Sequence, residues 1–191
     1  MNTGILSDLK TINWQTVIDY GNSLTDLNER QFRFIKGYAI ELLVEAQTTK
    51  IPGGGFSYVG NRDVHRDFIW DKYNLSIELK SQLSESMYRG YGGLRKTINI
   101  KLNNSMGSNK KQILLPSDIA DVLIVIRADG SFLINRDLIL SHLVCGGDGF
   151  SVKVSSDLIT EISGKIERKI TYVSKLKENI TNVVKEDVPC I

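Results

Sequence analysis

The sequence predicts an α/β protein in which helices flank a central β-sheet. Three observations predict this fold class. Apolar residues recur at helical spacing in the first 50 residues, β-type runs follow from residue 64, and a continuous apolar run occupies residues 122–126. No repeat, low-complexity block or linker divides the sequence, so we expect a single domain over residues 1–191.

The composition excludes several classes of protein. Of the 191 residues, 41% are hydrophobic and 24% are charged, and the formal net charge is +2. These values exclude a disordered chain, a collagen and a disulfide-stabilised miniprotein. The only two cysteines, Cys145 and Cys190, lie far apart and form neither a zinc motif nor a disulfide framework. With no signal-peptide pattern and no long apolar run, we expect a cytoplasmic protein without a membrane segment.

Two helices are predicted before residue 50. Residues 8–20 carry apolar side chains at roughly helical spacing, which predicts a short first helix. In the second helix, Thr25 and Asp26 offer N-cap oxygens, and Pro52 with the glycines at 53–55 predicts a turn after it. The apolar stripe of the second helix consists of Phe32, Ile35, Ala39, Ile40, Leu43 and Ala46.

The rest of the chain predicts strands and an amphipathic tail. Residues 64–70 and 75–81 are rich in β-branched and aromatic residues, and the four residues between them predict a hairpin turn. Residues 122–126 predict a buried strand that turns through 128–130 into an antiparallel strand at 132–135. After a glycine-rich break at 145–149, the tail at residues 155–185 fits either two helices or a strand followed by one helix.

The hairpin brings ionisable residues together. If residues 71–74 form the turn, Trp70 faces Leu75 and Asp67 lies directly across from Glu78. Opposed residues share a sheet face with Cβ atoms about 4.5–5.5 Å apart, and Lys80 points to the same face because strand side chains alternate. Two carboxylates this close repel each other unless a cation lies between them. Ligands that are all oxygen favour Mg²⁺ over zinc or copper.

These residues resemble a nuclease signature. Asp67 followed by Glu78-Leu79-Lys80 resembles the PD-(D/E)XK motif, and residues 78–82 are similar to the active-site strand of type II restriction endonucleases. The proline of the motif is missing, which leaves Asp63 as an alternative to Asp67, although opposition to Glu78 favours Asp67. The resemblance covers residues 32–138. It implies a restriction-endonuclease-like fold, with a central mixed β-sheet flanked by helices.

The resemblance also implies a chemistry and an auxiliary acid. Asp67 and Glu78 would hold one or two Mg²⁺ ions together with the carbonyl of Leu79. Lys80 would orient or deprotonate the attacking water, and Gln82 would position that water. Family members often place an acid on the helix before the hairpin. Residues 37–41 resemble that pattern through Glu41, with Glu45 as the alternative.

Residues 81–117 suit a polyanionic partner. This stretch holds six basic residues against one acid, and its Arg and Asn side chains suit base edges while its Lys side chains suit phosphates. The resemblance to restriction endonucleases implies that the insertion from Arg89 to Lys111 contacts double-stranded DNA. The candidate DNA-binding residues are Arg89, Tyr91, Arg95, Lys96, Lys101, Asn103, Asn104, Lys110 and Lys111.

The resemblance predicts a type II restriction endonuclease that cuts DNA as a homodimer, since two-fold symmetry matches a palindromic site. Three alternatives stay open. They are a nuclease similar to Holliday-junction resolvases, the small catalytic subunit of a heterodimeric restriction enzyme, and a DNA-binding module of the same fold without activity.

Overall fold

The protein begins with helices and continues mainly as strands. The computed structural model describes residues 3–24, 32–60, 62–63, 66–83, 89–90, 93–94, 97–102, 116–146, 149–155 and 158–163. The helices in these ranges are α1 (Thr3–Leu9), α2 (Trp14–Ser23), α3 (Arg33–Thr48) and α4 (Arg136–Ser141), with a short 3₁₀ helix at Pro116–Asp118. The strands are β1 (Phe56–Tyr58), β2 (Phe68–Trp70), β3 (Leu75–Gln82), β4 (Arg89–Gly90), β5 (Gly93–Leu94), β6 (Thr97–Leu102), β7 (Val122–Arg127), β8 (Gly130–Asn135), β9 (Leu143–Gly146), β10 (Gly149–Ser155) and β11 (Thr160–Glu161).

The single helix predicted over residues 8–20 is wrong, because the chain breaks there into α1 and α2. The side chain of Asn13 accepts a hydrogen bond from the amide of Thr16 at 3.1 Å and so caps α2. The buried indole of Trp14 donates to the carbonyl of Leu9 at 2.9 Å, which satisfies a carbonyl at the end of α1. The apolar residues of this segment therefore belong to two helices.

Helix α3 lies within the predicted second helix, and its buried face agrees with the predicted stripe only in part, at Ile40 and Leu43. Its buried residues are Ile40, Val44 and Thr48, spaced by one turn, whereas Ile35 and Ala46 of the predicted stripe are exposed. The reason is tertiary, since α3 contacts α2 and β1. The predicted N-cap residues Thr25 and Asp26 lie outside the described residues.

The main sheet is mixed and confirms the α/β class. Its six strands lie in the order β1-β2-β3-β7-β8-β11. Strands β3 and β7 are parallel, and all other neighbours are antiparallel. The predicted hairpin of β2 and β3 is confirmed, with Trp70 opposite Leu75. The predicted pair of β7 and β8 is also confirmed.

Strand β7 supplies both halves of the core. All six of its residues are buried, and the side chains of residues 122–126 alternate between two apolar clusters. Val122, Ile124 and Ile126 pack on the side of α2 and α3, whereas Leu123 and Val125 pack against residues of α4 and β10. A continuous apolar run is what a strand covered on both faces requires.

Several strands were not predicted. Strand β1 forms within the segment interpreted only as a turn, and β6 forms within the insertion at residues 81–117. Strand β6 pairs with β10, and β10 pairs with β9, to give a second, three-stranded sheet. The glycine-rich break at 145–149 lies where β9 turns into β10. The tail from residue 164 onward lies outside the described residues.

A helix that crosses a bilayer needs about 20 predominantly apolar residues. Within the described ranges, the longest helix is α3, with 16 residues. None of the helices in these ranges is long and apolar enough to cross a bilayer.

The burial of α3 predicts a contrast between two of its residues. Ile40 is fully buried, whereas Leu42 is 41% exposed. We expect Ile40→Ala to lower the free energy of unfolding by about 2–5 kcal/mol, because it leaves a cavity in the core. The matched change Leu42→Ala is expected to alter this free energy by less than about 1 kcal/mol. Urea denaturation of both variants measures the contrast, and equal losses would contradict the orientation of α3.

Candidate active site

Asp67 lies at a bulge where the ladder between β2 and β3 ends. The last paired residues are Phe68 and Ile77, and the amide of Asp67 donates to the carbonyl of the same Ile77 at 2.9 Å. Two consecutive residues therefore face Ile77, which is the arrangement of a β-bulge. The prediction that Asp67 lies directly across from Glu78 is therefore wrong. The extra residue of the bulge shifts Asp67 out of the register of the hairpin.

The bulge fixes Asp67 against β3. The backbone carbonyl of Asp67 accepts a hydrogen bond from the amide of Val59 at 2.8 Å. Its Oδ2 accepts a hydrogen bond from the amide of Leu79 at 2.6 Å. The N–H and C=O of one strand residue point to the same edge of the strand, so the Leu79 carbonyl also points toward the β2 side. The Asp67 carboxylate and this carbonyl thus lie along the same edge of β3, just beyond the end of β2.

Glu78 and Lys80 share one face of β3, as the alternation of the strand predicts. They pair with Leu123 and Val125 of β7, whose side chains point to the second apolar cluster. The Lys80 ammonium forms an ion pair with Oε1 of Glu78. The Glu78 side chain is only 12% exposed and that of Lys80 is 30% exposed. Both charges are therefore held in a largely apolar setting.

The electrostatics of this cluster follow from burial and from like charges. Burial raises the pKa of Glu78 to about 7; Lys80 opposes this shift, and Asp67 and Glu41 add to it. Burial also raises the pKa of Asp67, against the Leu79 amide and Lys80. For Lys80, burial disfavours the charge, but the attraction of Glu78, together with the charges of Asp67 and Glu41, outweighs it and raises the pKa of Lys80. The cluster is therefore rich in acids and holds one protonated lysine at neutral pH.

Helix α3 brings Glu41 to the same cluster. Burial, followed by the charge of Asp67, raises the pKa of the half-buried Glu41 to about 7, while Lys80 and a hydrogen bond with Tyr58 act in the opposite direction. Glu45, the alternative acid, is used elsewhere, because its Oε1 accepts the amide of Tyr58 at 2.8 Å. The geometry therefore favours Glu41 over Glu45 as the auxiliary acid.

Asp63, the alternative to Asp67, has a different set of contacts. Its Oδ2 lies 3.0 Å from Nη1 of Arg66, and Nη2 of the same arginine donates to the Ser117 carbonyl at 2.6 Å. This arginine ties the segment before the bulge to the 3₁₀ helix. Asp63 therefore supports the loop, whereas Asp67 lies against β3.

For the remaining predicted site residues, the structure describes the position in the strand or nothing at all. Gln82, at the end of β3, pairs with Arg127 and lies on the Glu78 face by strand alternation. Arg89 lies in β4 and Lys101 in β6, where only the backbone is described. The DNA-binding candidates outside the described residues are Tyr91, Arg95, Lys96, Asn103, Asn104, Lys110 and Lys111.

The oxygen atoms of the site meet the needs of a Mg²⁺ ion. Among the described residues, no group of three or more His, Cys, Asp or Glu side chains could hold a metal ion. Magnesium needs fewer protein ligands than that, because one or two carboxylates usually suffice when waters and substrate phosphates complete the shell. Asp67, Glu78 and the Leu79 carbonyl supply only oxygen atoms. The raised pKa values of both carboxylates show that a further positive charge would be favourable there.

The sequence did not single out Tyr58, which contacts the auxiliary acid. The alternation of Phe56 and Tyr58 after the glycine turn is a signal for strand β1. It carries no information on the hydrogen bond between Tyr58 and Glu41, because that contact depends on how α3 packs against β1.

Comparison of the chain with family models, curated proteins and solved structures gave no match. The fold is accordingly described as a mixed α/β arrangement with a six-stranded sheet. The functional interpretation depends on the contacts of Glu41, Asp67, Glu78 and Lys80.

The raised pKa of Glu78 predicts how stability varies with pH. Its pKa is about 7 in the fold and near 4.5 ordinarily, so the folded protein binds more protons than the unfolded chain between these values. The contribution of this group to stability therefore falls as pH rises from 4.5 to 7. We expect Glu78→Gln to become more stable relative to wild type between pH 5 and pH 8, by on the order of 1–3 kcal/mol.

Denaturant unfolding at the two pH values measures this change. Asp8→Asn is the control: burial opposes the charge of Asp8, but hydrogen bonds from Lys72 and Tyr73 outweigh it and lower the pKa of Asp8. Asp8 is thus ionised in both states above pH 5, and its substitution should have the same effect at both pH values. A Glu78→Gln effect that is equally constant would contradict the assignment.

Proposed function

We propose that the protein is a Mg²⁺-dependent endonuclease that hydrolyses phosphodiester bonds in double-stranded DNA. The observation that carries the proposal is the convergence of Glu41, Asp67, Glu78 and Lys80 beside the end of β2. Burial raises the pKa of all three acids, the charge of Asp67 adds to the shift of Glu41 and Glu78, and so their ionised forms lower the stability of the fold. Strongly perturbed ionisable groups of this kind are typical of functional sites.

Asp67, Glu78 and the Leu79 carbonyl are the groups that would hold the ion. The bulge fixes Asp67 on both sides through its backbone and aims its carboxylate at β3. The chemistry that bound Mg²⁺ supplies is activation of water and neutralisation of negative charge on the phosphate. Holding the ligands in place before the ion arrives reduces the reorganisation that binding requires.

Lys80 acts as a cation. Its raised pKa keeps the ammonium protonated at neutral pH, which favours orientation of the water over removal of its proton. The sequence alone left both roles open. The ammonium donates hydrogen bonds to the attacking water and to the scissile phosphate, where it stabilises the charge that develops in the transition state.

Glu41 is the proton acceptor in this proposal. A carboxylate whose pKa lies near 7 is matched to take a proton at neutral pH. Glu41 would accept the proton of the water as its oxygen bonds to phosphorus, while the phosphorus–oxygen bond to the leaving group breaks and that oxygen is protonated by solvent. Gln82, on the same face of β3 as Lys80, would hold the water through its side-chain amide.

The proposal extends to a restriction-endonuclease-like fold and to site-specific cleavage by a homodimer. The excess of basic residues in the insertion at 81–117 supports a duplex partner. Two identical active sites related by a two-fold axis would each cut one strand of a palindromic site. In this arrangement the Arg and Asn side chains of the insertion read base edges, and its Lys side chains contact phosphates.

Substitution of Lys80 tests the proposed function. We expect Lys80→Ala to lower the rate of plasmid cleavage with Mg²⁺ by about 10²-fold or more, because it removes a preorganised charge from the site. The matched control is Lys72→Ala, which removes a lysine that is ion-paired with Asp8 at the turn of the same hairpin. This control is expected to cleave at the wild-type rate.

Three outcomes of the plasmid assay would contradict the proposal in different ways. Lys80→Ala that cleaves at the wild-type rate would remove Lys80 from the mechanism. Wild-type protein that cleaves only branched DNA would indicate a resolvase. A gel shift without any cleavage would indicate a binding module. Discrete fragments from linear duplex DNA support a site-specific enzyme.

The lysines of the insertion are expected to set the salt dependence of binding. We expect their combined replacement by alanine to weaken binding to all sequences and to lower the slope of log K against log salt by about one unit per lost phosphate contact. The four lysines to replace are Lys96, Lys101, Lys110 and Lys111. A control protein with alanine at four other lysines is expected to have the same slope of log K against log salt as the wild type. The control lysines are Lys10, Lys36, Lys50 and Lys72. Fluorescence anisotropy at several salt concentrations measures both slopes, and equal slopes would contradict a DNA-binding role of the insertion.

A further inference from the structure

The ring of Tyr58 is held between α3 and β2. It packs edge to face against Tyr38 of α3 at 5.4 Å and against Phe68 of β2 at 5.9 Å, measured between ring centroids. Its amide donates to Oε1 of Glu45 at 2.8 Å. Ring and backbone are therefore both fixed, and the direction of the phenol group follows from them.

The hydroxyl of Tyr58 also has close neighbours. Tyr38 and Glu45, about one turn before and after Glu41 on α3, both contact Tyr58, which places the carboxylate of Glu41 beside this hydroxyl as its hydrogen-bond partner. The backbone of Gly60 also packs against this hydroxyl, so closely that a Cβ added at Gly60 would lie 2.7 Å from the Tyr58 oxygen. Burial, followed by the charge of Glu41, raises the pKa of Tyr58 to about 12, so the hydroxyl keeps its proton and donates it in this hydrogen bond.

We infer that Tyr58 is a positioning residue that holds the carboxylate of Glu41 toward Asp67 and Lys80. The inference rests on the proposed function and gives it a further residue. A glutamate side chain has three rotatable bonds, and one fixed donor removes much of this freedom. With one carboxylate oxygen bound to Tyr58, the other oxygen would be left to accept the proton of the water.

A purely structural tyrosine–carboxylate contact exists in the same protein and serves as a control. The hydroxyl of Tyr73 donates to Oδ2 of Asp8 at 2.7 Å and ties α1 to the turn of the hairpin. Tyr73→Phe removes a hydrogen bond of the same kind from the other end of β2 and β3. Any loss of cleavage that comes only from a weaker fold would appear in both phenylalanine variants.

The test is a double-mutant cycle between Tyr58 and Glu41, measured as single-turnover DNA cleavage with Mg²⁺ and as DNA affinity without cleavage. Tyr58→Phe keeps the ring and its packing. We expect it to lower the cleavage rate about 10-fold or more at unchanged DNA affinity, as for a lost hydrogen bond to a charged group. In the Glu41→Gln background the same change should have no further effect, and Tyr73→Phe should cleave at the wild-type rate.

The substitution Gly60→Ala disturbs the same contact without altering Tyr58. The added methyl group would lie 2.7 Å from the phenol oxygen and 2.9 Å and 3.0 Å from the ring carbons Cζ and Cε2, so the ring must tilt within its contacts with Tyr38 and Phe68 and carry the hydroxyl away from Glu41. We expect a loss of rate similar to that of Tyr58→Phe and no additional loss when the two changes are combined. This variant keeps the inference testable if Tyr58→Phe does not fold.

Two results would overturn the inference while the proposed function stands. One is wild-type cleavage by Tyr58→Phe and Gly60→Ala while Lys80→Ala is inactive. The other is an equal loss from Tyr58→Phe with and without Glu41→Gln, which would show that the two residues act independently. If wild-type protein does not cleave DNA, or Lys80→Ala cleaves as wild type does, the proposed function fails and the inference fails with it.

Discussion

The hydrogen bond from the amide of Leu79 to the carboxylate of Asp67 is the contact on which the candidate site depends. A buried backbone N–H must find an acceptor, and in a regular hairpin that acceptor is a carbonyl of the neighbouring strand. Here a side chain supplies it, and the ladder ends one residue earlier, at Phe68 and Ile77. The bulge therefore ends the pairing of β2 with β3 and fixes an acid beside the open edge of β3.

The site lowers the stability of the sheet on which it is built. Glu78 and Lys80 occupy positions on β3 whose neighbours on β7, Leu123 and Val125, belong to the core. Their ion pair offsets part of the cost of burial. Among the described residues, Asp67 and Glu41 feel Lys80 only through its charge, and burial raises the pKa of both. The fully buried strand β7 supplies the compensating apolar contacts. Functional sites typically retain strain or repulsion of this kind, and stabilising contacts elsewhere in the fold compensate for it.

Local patterns in the sequence predicted the elements of the hairpin and of the buried strand well, because both depend on neighbours in the chain. The turn at residues 71–74 set the pairing of Trp70 with Leu75, and alternation placed Glu78 and Lys80 on one face. Features that depend on distant partners were predicted poorly. The bulge at Asp67 requires Val59 and Leu79, and the buried face of α3 is chosen by α2 and β1. Strand β6 needs β10, about 50 residues later in the chain, as its partner. Asp67 and Glu78 were therefore found from their spacing and Glu41 from the family resemblance, whereas Tyr58 emerged only from the packing of α3 on β1.

The most direct test of the account is a crystal structure of the protein with Mn²⁺, which takes oxygen ligands as Mg²⁺ does and can be located by its anomalous scattering. The account predicts one ion between the carboxylates of Asp67 and Glu78, with the Leu79 carbonyl in its shell and oxygen distances of about 2.0–2.3 Å. An ion bound elsewhere, or none between these carboxylates at millimolar Mn²⁺, would contradict it.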